Sequence, residues 1–281
     1  MKKVLLITIS LFCLAASAQK AKIKGDKNVV TDDRSFGYFT KLEVNDKIKL
    51  TLKQSKSTKL VIEADENLHD VIDSDFENGA LVLSLNKRIK SSKRFNLTLF
   101  VDDLDFIELN DDSELIGGEE FNFFDLEVVL NDKSDLKMEF ESQTFSLESN
   151  EKSRGEFTVK ADSMSIITKE SSRIKNTINA KKVNVNYTGN SAIEFIGKTT
   201  GLVLKADDNA TFKGVELTAF DVFVEAANST NTFVNAKNNL KIEAKDKAKI
   251  YIFNSPLIEV KAFEDAASIF KRESMKLLEK I

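Results

Sequence analysis

Leu126-Glu-Val-Val-Leu-Asn-Asp-Lys-Ser134 is the stretch that decides the fold, because its pattern returns repeatedly along the chain. The later copies begin at Phe145, Met164, Val183, Leu202, Val222, Leu240 and Ile258, at intervals of 19, 19, 19, 19, 20, 18 and 18 residues. A weaker copy, Asp105 to Ser113, begins 21 residues before the first one. Residues 105–270 are therefore a repeat with a period near 19.

Every copy has the same order of residue types. The first and third positions are apolar, as in Leu126 and Val128, and alternation with period two places such side chains on one face of a strand. Polar turn formers such as Asn131 and Asp132 follow, and their short side chains suit corners because they bond to nearby backbone. The ninth position is small throughout: Ser134, Ser153, Ser172, Ser191, Ala210, Thr230, Ala248 and Ala266. The pattern predicts a strand, a corner and a small side chain that turns inward.

This period favours an all-β solenoid. It is too short for a propeller blade or a helical pair, and the leucine-rich consensus is absent. We predict a parallel β-helix of about nine coils that stack about 4.8 Å apart, each coil burying its apolar face against its neighbours. The alternative is an antiparallel meander or sandwich, which gives no reason for a small residue to recur every 19 positions.

Residues 1–18 have the pattern of a secretory signal peptide. Lys2 and Lys3 precede an apolar run that is too short to span a bilayer, and Ala16-Ser-Ala18 provides the small residues of a cleavage site. We expect cleavage before Gln19 and an exported protein, either periplasmic or extracellular. Cleavage would also remove the chain's single cysteine, and with it any disulfide.

The overall composition is that of an ordinary globular protein. The 281 residues are 42% hydrophobic and 31% charged, with a net charge of −4 that becomes −6 once Lys2 and Lys3 are removed. This mildly acidic balance does not support nucleic-acid binding, which requires a basic face. No membrane-spanning segment is expected after the signal.

The predicted regions outside the repeat are a β-rich cap at residues 19–104 and a tail or cap at residues 271–281. The first would cover the edge of the first coil, which would otherwise be unpaired. Within it, Asn78-Gly79 predicts a hairpin, and Asp65 is a candidate N-cap for one helical turn. In the tail, Met275, Leu278 and Ile281 are spaced at helical intervals. We expect this segment to lie over the last coil.

Lys87 to Arg94 is a basic stretch in the N-terminal region. We expect a solvated loop there, with a patch for nucleic acid or acidic glycan as the alternative. His69 is the sole histidine, so any Ser-His-Asp or Cys-His triad would have to use it. No further residue supports a triad, and zinc would lack ligands. A structural role is expected for His69.

Carboxylates at the seventh repeat position could form a ladder along one corner. The seventh position is occupied by Asp111, Asp132, Glu151, Glu170, Gly189, Asp208, Asn228, Asp246 and Glu264, which are acids except for Gly189 and Asn228. We expect the ladder to be either solvated or neutralised, for which Lys133 and Lys152 are the adjacent cations, and calcium is the alternative because it prefers clustered carboxylates. Arg154 and Arg173 are expected to point outward and pair with nearby acids, or to grip an acidic sugar. We assign no catalytic, cofactor-binding or metal residue.

The chain resembles the putative adhesin family with a head GIN domain. The resemblance is carried by Phe39–Val44, Ile48–Leu52, Leu60–Leu68, Asn78–Leu83 and Leu104–Leu109, followed by Ser113. It implies a right-handed parallel β-helix and a location in the envelope or outside the cell, but supplies no activity. The family's turn glycines are mostly Asn, Asp, Lys or Ser in this sequence.

Three functions remain open at this stage. The first is a non-enzymatic, exported solenoid that binds or displays surfaces at the cell envelope, with glycan, protein or a second copy as partner. The second is a polysaccharide lyase or glycoside hydrolase on the same scaffold, since a hydrolase needs only two carboxylates about 5–10 Å apart in a cleft. The third is a structural or regulatory periplasmic protein.

Overall fold

A computed structural model describes residues 20–272, and it confirms the all-β solenoid, with about nine turns. The expected signal peptide and most of the expected C-terminal tail lie outside the described residues. The N-terminal strands are β1 (Lys22–Lys24), β2 (Val29–Ser35), β3 (Lys41–Val44), β4 (Lys49–Gln54), β5 (Lys59–Asp65), β6 (Ile72–Glu77), β7 (Ala80–Leu85), β8 (Arg88–Ser91) and β9 (Phe95–Val101). A 3₁₀ helix, Glu66–Val71, joins β5 to β6.

The repeat forms the remaining strands, and all of them pair in parallel. They are β10 (Phe106–Leu109), β11 (Glu114–Asn122), β12 (Asp125–Leu130), β13 (Asp135–Ser149), β14 (Arg154–Thr168), β15 (Arg173–Tyr187), β16 (Ala192–Ala206), β17 (Thr211–Ala226), β18 (Asn231–Ala244), β19 (Lys249–Phe253), β20 (Leu257–Phe263) and β21 (Ser268–Lys271). Phe145 pairs with Met164 and Met164 with Val183, so the predicted offset of 19 is the register of the sheet.

The corner after each first run is built by a residue in the left-handed conformation. Its φ lies between 56° and 71° at Asp46, Asp111, Asp132, Glu151, Glu170, Gly189, Asp208, Asn228, Asp246 and Asp265. Two positions later a small residue is buried at every corner except that of Asp46, and at most corners its backbone N–H closes the turn on the carbonyl three residues back, as in Ser134 to Asn131 at 3.0 Å. The predicted corner and its inward small residue are confirmed.

The ladder carboxylates hold adjacent coils together. The N–H of Asp46 donates to the carboxylate of Asp111 at 3.0 Å, and the N–H of Asp111 donates to Asp132 at 2.9 Å. The N–H of Gly189 donates to Asp208 in the same way at 3.1 Å. Aspartate therefore recurs at this corner because its side chain satisfies a backbone donor of the preceding coil.

The last copy departs from the predicted register by one residue. Lys261 has no partner in the pairing of β20 with β18, which marks a bulge. The left-handed corner residue is consequently Asp265, where the prediction had Glu264. The small inward residue is Ala267, and the predicted Ala266 is exposed. A fixed count from Ile258 could not reveal the inserted residue.

The N-terminal region contributes strands to the same parallel sheet. Strands β3 and β4 pair with β10 and β11, and β7 and β9 lie on the far side of β3 and β4. Antiparallel β2, β5 and β6 complete this end. Asn78 and Gly79 have positive φ values, 51° and 82°, and join β6 to β7, which confirms the predicted hairpin.

The interior contains a buried polar pair between Tyr187 and Thr232, whose hydroxyl oxygens are 2.6 Å apart. Both side chains are fully buried, and burial raises the pKa of Tyr187 far above its ordinary value. A hydroxyl left unpaired in this core costs its full desolvation energy. The pair therefore links strands β15 and β18 through one hydrogen bond, which substitution of either residue would remove.

We expect Thr232→Val to lower the free energy of unfolding by about 1–3 kcal/mol, because it strands the Tyr187 hydroxyl in the core. The double variant Tyr187→Phe/Thr232→Val removes both hydroxyls and should recover most of that loss. Urea denaturation of the single and double variants measures both values. A double variant less stable than Thr232→Val would show that the hydroxyl pair is not the source of the effect.

Candidate functional site

A small basic flap lines one groove of the protein. The flap is the two-stranded sheet of β1 and β8, in which Lys22 pairs with Arg88 and Ile23 with Ile89. Lys87 to Arg94 was expected to be a loop, and that expectation was wrong for its central residues, because β8 pairs there with a strand distant in sequence. Two short strands are marginal by themselves, so the flap needs a further anchor.

Asp65 is that anchor. Its carboxylate is fully buried and accepts backbone N–H bonds from Lys27 at 3.1 Å, Lys93 at 3.0 Å and Arg94 at 3.0 Å. Burial raises the pKa of this carboxyl, but the three amides and the charge of Lys93 outweigh it and hold the pKa below its ordinary value of 3.8. One side chain thus ties both segments that flank the flap to the body of the protein.

The predicted role of Asp65 needs a correction. The residue does occupy the N-cap position of the 3₁₀ helix, but its side chain makes no capping hydrogen bond. Its oxygens are taken by amides 28 to 38 residues away in sequence. No local sequence signal could have indicated these donors, because none of them belongs to the helix.

Between the flap and the acidic corner runs a groove of about 1080 Å³. Its walls carry the cations Lys20, Lys22, Lys47, Lys49, Lys87, Arg88, Lys90, Lys133 and Lys152, and the acids Asp46, Asp111, Asp112, Asp132, Glu151 and Glu170. Leu85, Ile89 and Phe95 add an apolar strip. Binding sites for small ligands usually measure about 300–1,000 Å³, so this groove could hold a ligand of several rings.

The cations of the flap have no acidic partners. Lys22, Lys87, Arg88 and Lys90 are exposed, and none makes an ion pair with another residue in 20–272. In contrast, the cations of the groove floor are occupied: Lys20 pairs with Asp46 at 2.6 Å, and others pair with Asp112 and Glu114. Within the described residues, the unpaired cations of the groove other than Lys152 therefore lie on the flap or, as Lys87 does, directly beside it.

The acidic corner also lines the groove, represented by Asp111, Asp132, Glu151 and Glu170. Interaction with the neighbouring Asp132 carboxyl, followed by burial and the charge of Glu170, raises the pKa of Glu151 above its ordinary value of 4.5. Such a shift shows that neighbouring carboxylates here repel one another.

The predicted neutralisation of this corner by Lys133 and Lys152 was wrong. Lys133 lies 3.9 Å from Asp112, outside the ladder, and Lys152 makes no ion pair within the described part of the chain. Sequence adjacency to a ladder acid therefore did not produce an ion pair with it in the described residues.

The described residues do not support the alternative that the ladder binds calcium. No cluster of three or more His, Cys, Asp or Glu side chains in residues 20–272 is arranged to hold a metal ion. The carboxylates of Asp111, Asp132 and Asp208 already accept backbone hydrogen bonds from the preceding coil. The same acids that suggested a metal site have an observed structural use.

The other candidate residues lie apart from the groove. The His69 ring is half-buried beside the Ala64 carbonyl, and its own carbonyl accepts a bond from Arg34 at 2.8 Å. Arg154 and Arg173 are exposed neighbours on one outer wall, as predicted, and Arg154 lies 3.4 Å from Asp135.

Asp46 is a further ladder member, which the repeat pattern of residues 105–270 does not include. It follows Val44 by two residues as Asp111 follows Leu109, the partner of Val44, and it has the same left-handed φ. The alternating Leu42 and Val44 before it were a usable signal. The ninth position is Ile48 instead of a small residue, which hid the copy.

Comparison with known proteins identifies relatives in family and fold. A sequence model for the family described as "Putative auto-transporter adhesin, head GIN domain" matches residues 38–157 and 143–256. No curated protein matches the chain. None of the helices in residues 20–272 has the length and apolar character needed to cross a membrane.

Several solved structures share the fold. A putative adhesin from Parabacteroides distasonis has a TM-score of 0.68 at 14% identity, covering 89% of this chain and 100% of that one. A putative adhesin from Parabacteroides merdae has a TM-score of 0.67 at 13% identity, covering 90% and 100%. A putative lipid binding protein from Parabacteroides distasonis has a TM-score of 0.62 at 16% identity, covering 90% and 100%. At these identities the likeness shows the fold alone.

Proposed function

Because this chain belongs to the family of putative auto-transporter adhesins with a head GIN domain, we propose that it is a non-enzymatic binding module of the cell envelope. Its ligand, in this proposal, is an anionic glycan held between the flap and the acidic corner. The family's adhesin character supports a surface role, and the sequence pattern of residues 1–18 supports export to the periplasm or the cell exterior.

The ligand class is inferred from the uneven distribution of unpaired charge in the groove. Four flap cations lack acidic partners in residues 20–272, so carboxylate or sulfate groups of a ligand would meet unpaired positive charge there. The ladder carboxylates opposite can accept hydrogen bonds from hydroxyl groups. A sugar chain carries both kinds of group on each residue.

Other charged polymers fit this groove less well. A nucleic acid presents phosphates on its whole length, and the ladder acids Asp132, Glu151 and Glu170 would repel it. Neutral glycans would leave the flap cations without partners. The half-buried Ile89 and Phe95 offer an apolar strip for the faces of sugar rings.

The test is calorimetric titration of the mature protein with a uronic-acid oligosaccharide at low salt. We expect Arg88→Glu/Lys90→Glu to weaken binding by about tenfold or more, because each reversal turns attraction into repulsion. The control is Lys182→Glu, which reverses an exposed, unpaired cation on β15 outside this groove. The methyl-esterified oligosaccharide, which lacks the negative charges, should bind weakly.

Three results would contradict the proposal. Absence of binding to any anionic glycan would show that the ligand class is wrong. An equal loss of affinity in Lys182→Glu would show that the groove is not the binding site. Release of shortened or unsaturated sugar products would point instead to the hydrolase or lyase alternative. Tighter binding to single-stranded DNA or to lipid vesicles than to the glycan would assign the flap to a different partner.

A further inference from the structure

The C-terminal end of the solenoid exposes side chains that other coils bury. Ile258 is 44% exposed and Val260 is 48% exposed, whereas the residues paired with them in the preceding coil, Leu240 and Ile242, are fully buried. Phe263, on the same strand, is 47% exposed. The core is therefore open at this end within the described residues.

The strand pairing at this end is also one-sided. Within residues 20–272, β20 pairs only with β18, and β21 pairs only with β19. Each strand thus has one edge without a strand partner among the described residues, next to apolar side chains. Natural proteins cover such edges, because an exposed apolar edge invites aggregation.

The chain itself supplies a cover of suitable position and length. Its last described residue, Arg272, donates from its N–H to the Ile252 carbonyl at 2.8 Å, so the chain leaves the solenoid at the final coil. Nine residues follow, 273–281. Fully extended they reach about 30 Å, which exceeds the roughly 23 Å length of a seven-residue strand such as β20.

The composition of this segment matches the uncovered surface. It contains Met275, Leu277, Leu278 and Ile281 among four charged residues. We propose that residues 273–281 cover the open end of the solenoid and place these apolar side chains against Ile258, Val260 and Phe263. The proposal concerns the C-terminal end and is independent of the groove.

A second copy is the competing occupant, since two open ends could pair. The tail has the advantage of attachment: a tethered segment acts at an effective concentration in the millimolar range. It also leaves the protein monomeric, so the two occupants differ in a measurable property.

The experiment is hydrogen exchange on the full mature chain, together with sedimentation to determine its mass. Leu277→Asp/Leu278→Asp should speed exchange of amides in β20 and β21 by about tenfold or more, while β13 to β16 stay protected. The control Ser274→Asp/Lys280→Asn makes the same change in net charge, −2, without altering an apolar position, and should exchange like the natural chain.

Two results would overturn the proposal. Unchanged exchange in β20 and β21 of the aspartate variant would show that the tail does not cover them. A natural chain that sediments as a dimer, with β20 exchanging faster on dilution, would assign the end to a second copy. The protected β13 to β16 amides in the same spectra report that each variant is folded.

Discussion

Gly197→Ala is expected to lower the free energy of unfolding by about 3 kcal/mol or more, the largest effect of any single substitution considered. Gly197 has a φ of 117°, a backbone angle that L-residues with a side chain rarely adopt. A Cβ there would lie 2.0 Å from the Ile178 carbonyl oxygen. Because that obstacle is backbone of the adjacent coil, the two coils must move apart to admit a methyl group.

The position is special because the pairing of β16 with β17 shifts register between Glu194 and Gly197. A bulge of this kind bends the strand and requires a residue without a Cβ. Solenoid stability is the sum of single coils and the contacts between neighbours. Weakening one contact in the middle should also broaden the unfolding transition.

Urea denaturation followed by circular dichroism measures both quantities. The matched control is Gly201→Ala in the same strand, where the nearest atom to a Cβ would be 3.9 Å away and φ is ordinary. We expect that variant to be at least as stable as the natural chain, since alanine lowers the entropy of the unfolded state. Equal losses in the two variants would show that the conformation of Gly197 is not the cause.

Asp65→Asn is expected to release the flap and to lower the melting temperature by several degrees. The asparagine amide would present N–H groups to the backbone donors of Lys27, Lys93 and Arg94, which the carboxylate now accepts. Buried donors that lose their acceptor pay their desolvation energy. Because the flap forms one wall of the groove, the variant should also lose glycan affinity.

Limited proteolysis locates the effect, since a released flap exposes residues 20–28 and 87–94 to cleavage while the coils stay resistant. The control is Asp33→Asn, which removes an exposed pair with Lys59 at 2.7 Å that contributes little. Cleavage first within the coils of Asp65→Asn would contradict the role of Asp65 as the anchor of the flap.

The same carboxylate predicts a pH dependence. Its pKa is lower in the folded protein than the ordinary 3.8 of an unfolded chain. The unfolded state therefore takes up the proton first on acidification, so the contribution of Asp65 is complete above pH 3.8 and is lost as the pH falls through its folded pKa. Thermal melts below pH 5 should show a shallower decline in Asp65→Asn than in the natural chain.

The fold of residues 105–270 could be predicted because each coil repeats the instructions of the last. Alternating apolar positions, an Asp or Asn at the corner and a small residue two positions later are local features, and their offset of 19 is also the pairing register. The prediction was wrong only where a bulge at Lys261 added a residue. That bulge leaves no mark in the apolar pattern.

The candidate site could not be predicted, because it is assembled from contacts without a period. The sequence indicated a basic stretch and an acidic ladder, but nothing in it placed Arg88 beside Lys22 or both across a groove from Glu151. Asp65 likewise reads as a helix cap until its distant amide donors are seen.

The sequence by itself therefore determined a β-solenoid with a nineteen-residue register and an acidic corner. Only the tertiary structure decided that strands from residues 41–101 extend the same sheet, and that β1 and β8 meet over that corner as a charged groove. The physical reason is that period and polarity are properties of neighbouring residues. The flap depends on a pairing between segments about 65 residues apart, and its buried anchor depends on amides 28 to 38 residues away, for which the local pattern carries no signal.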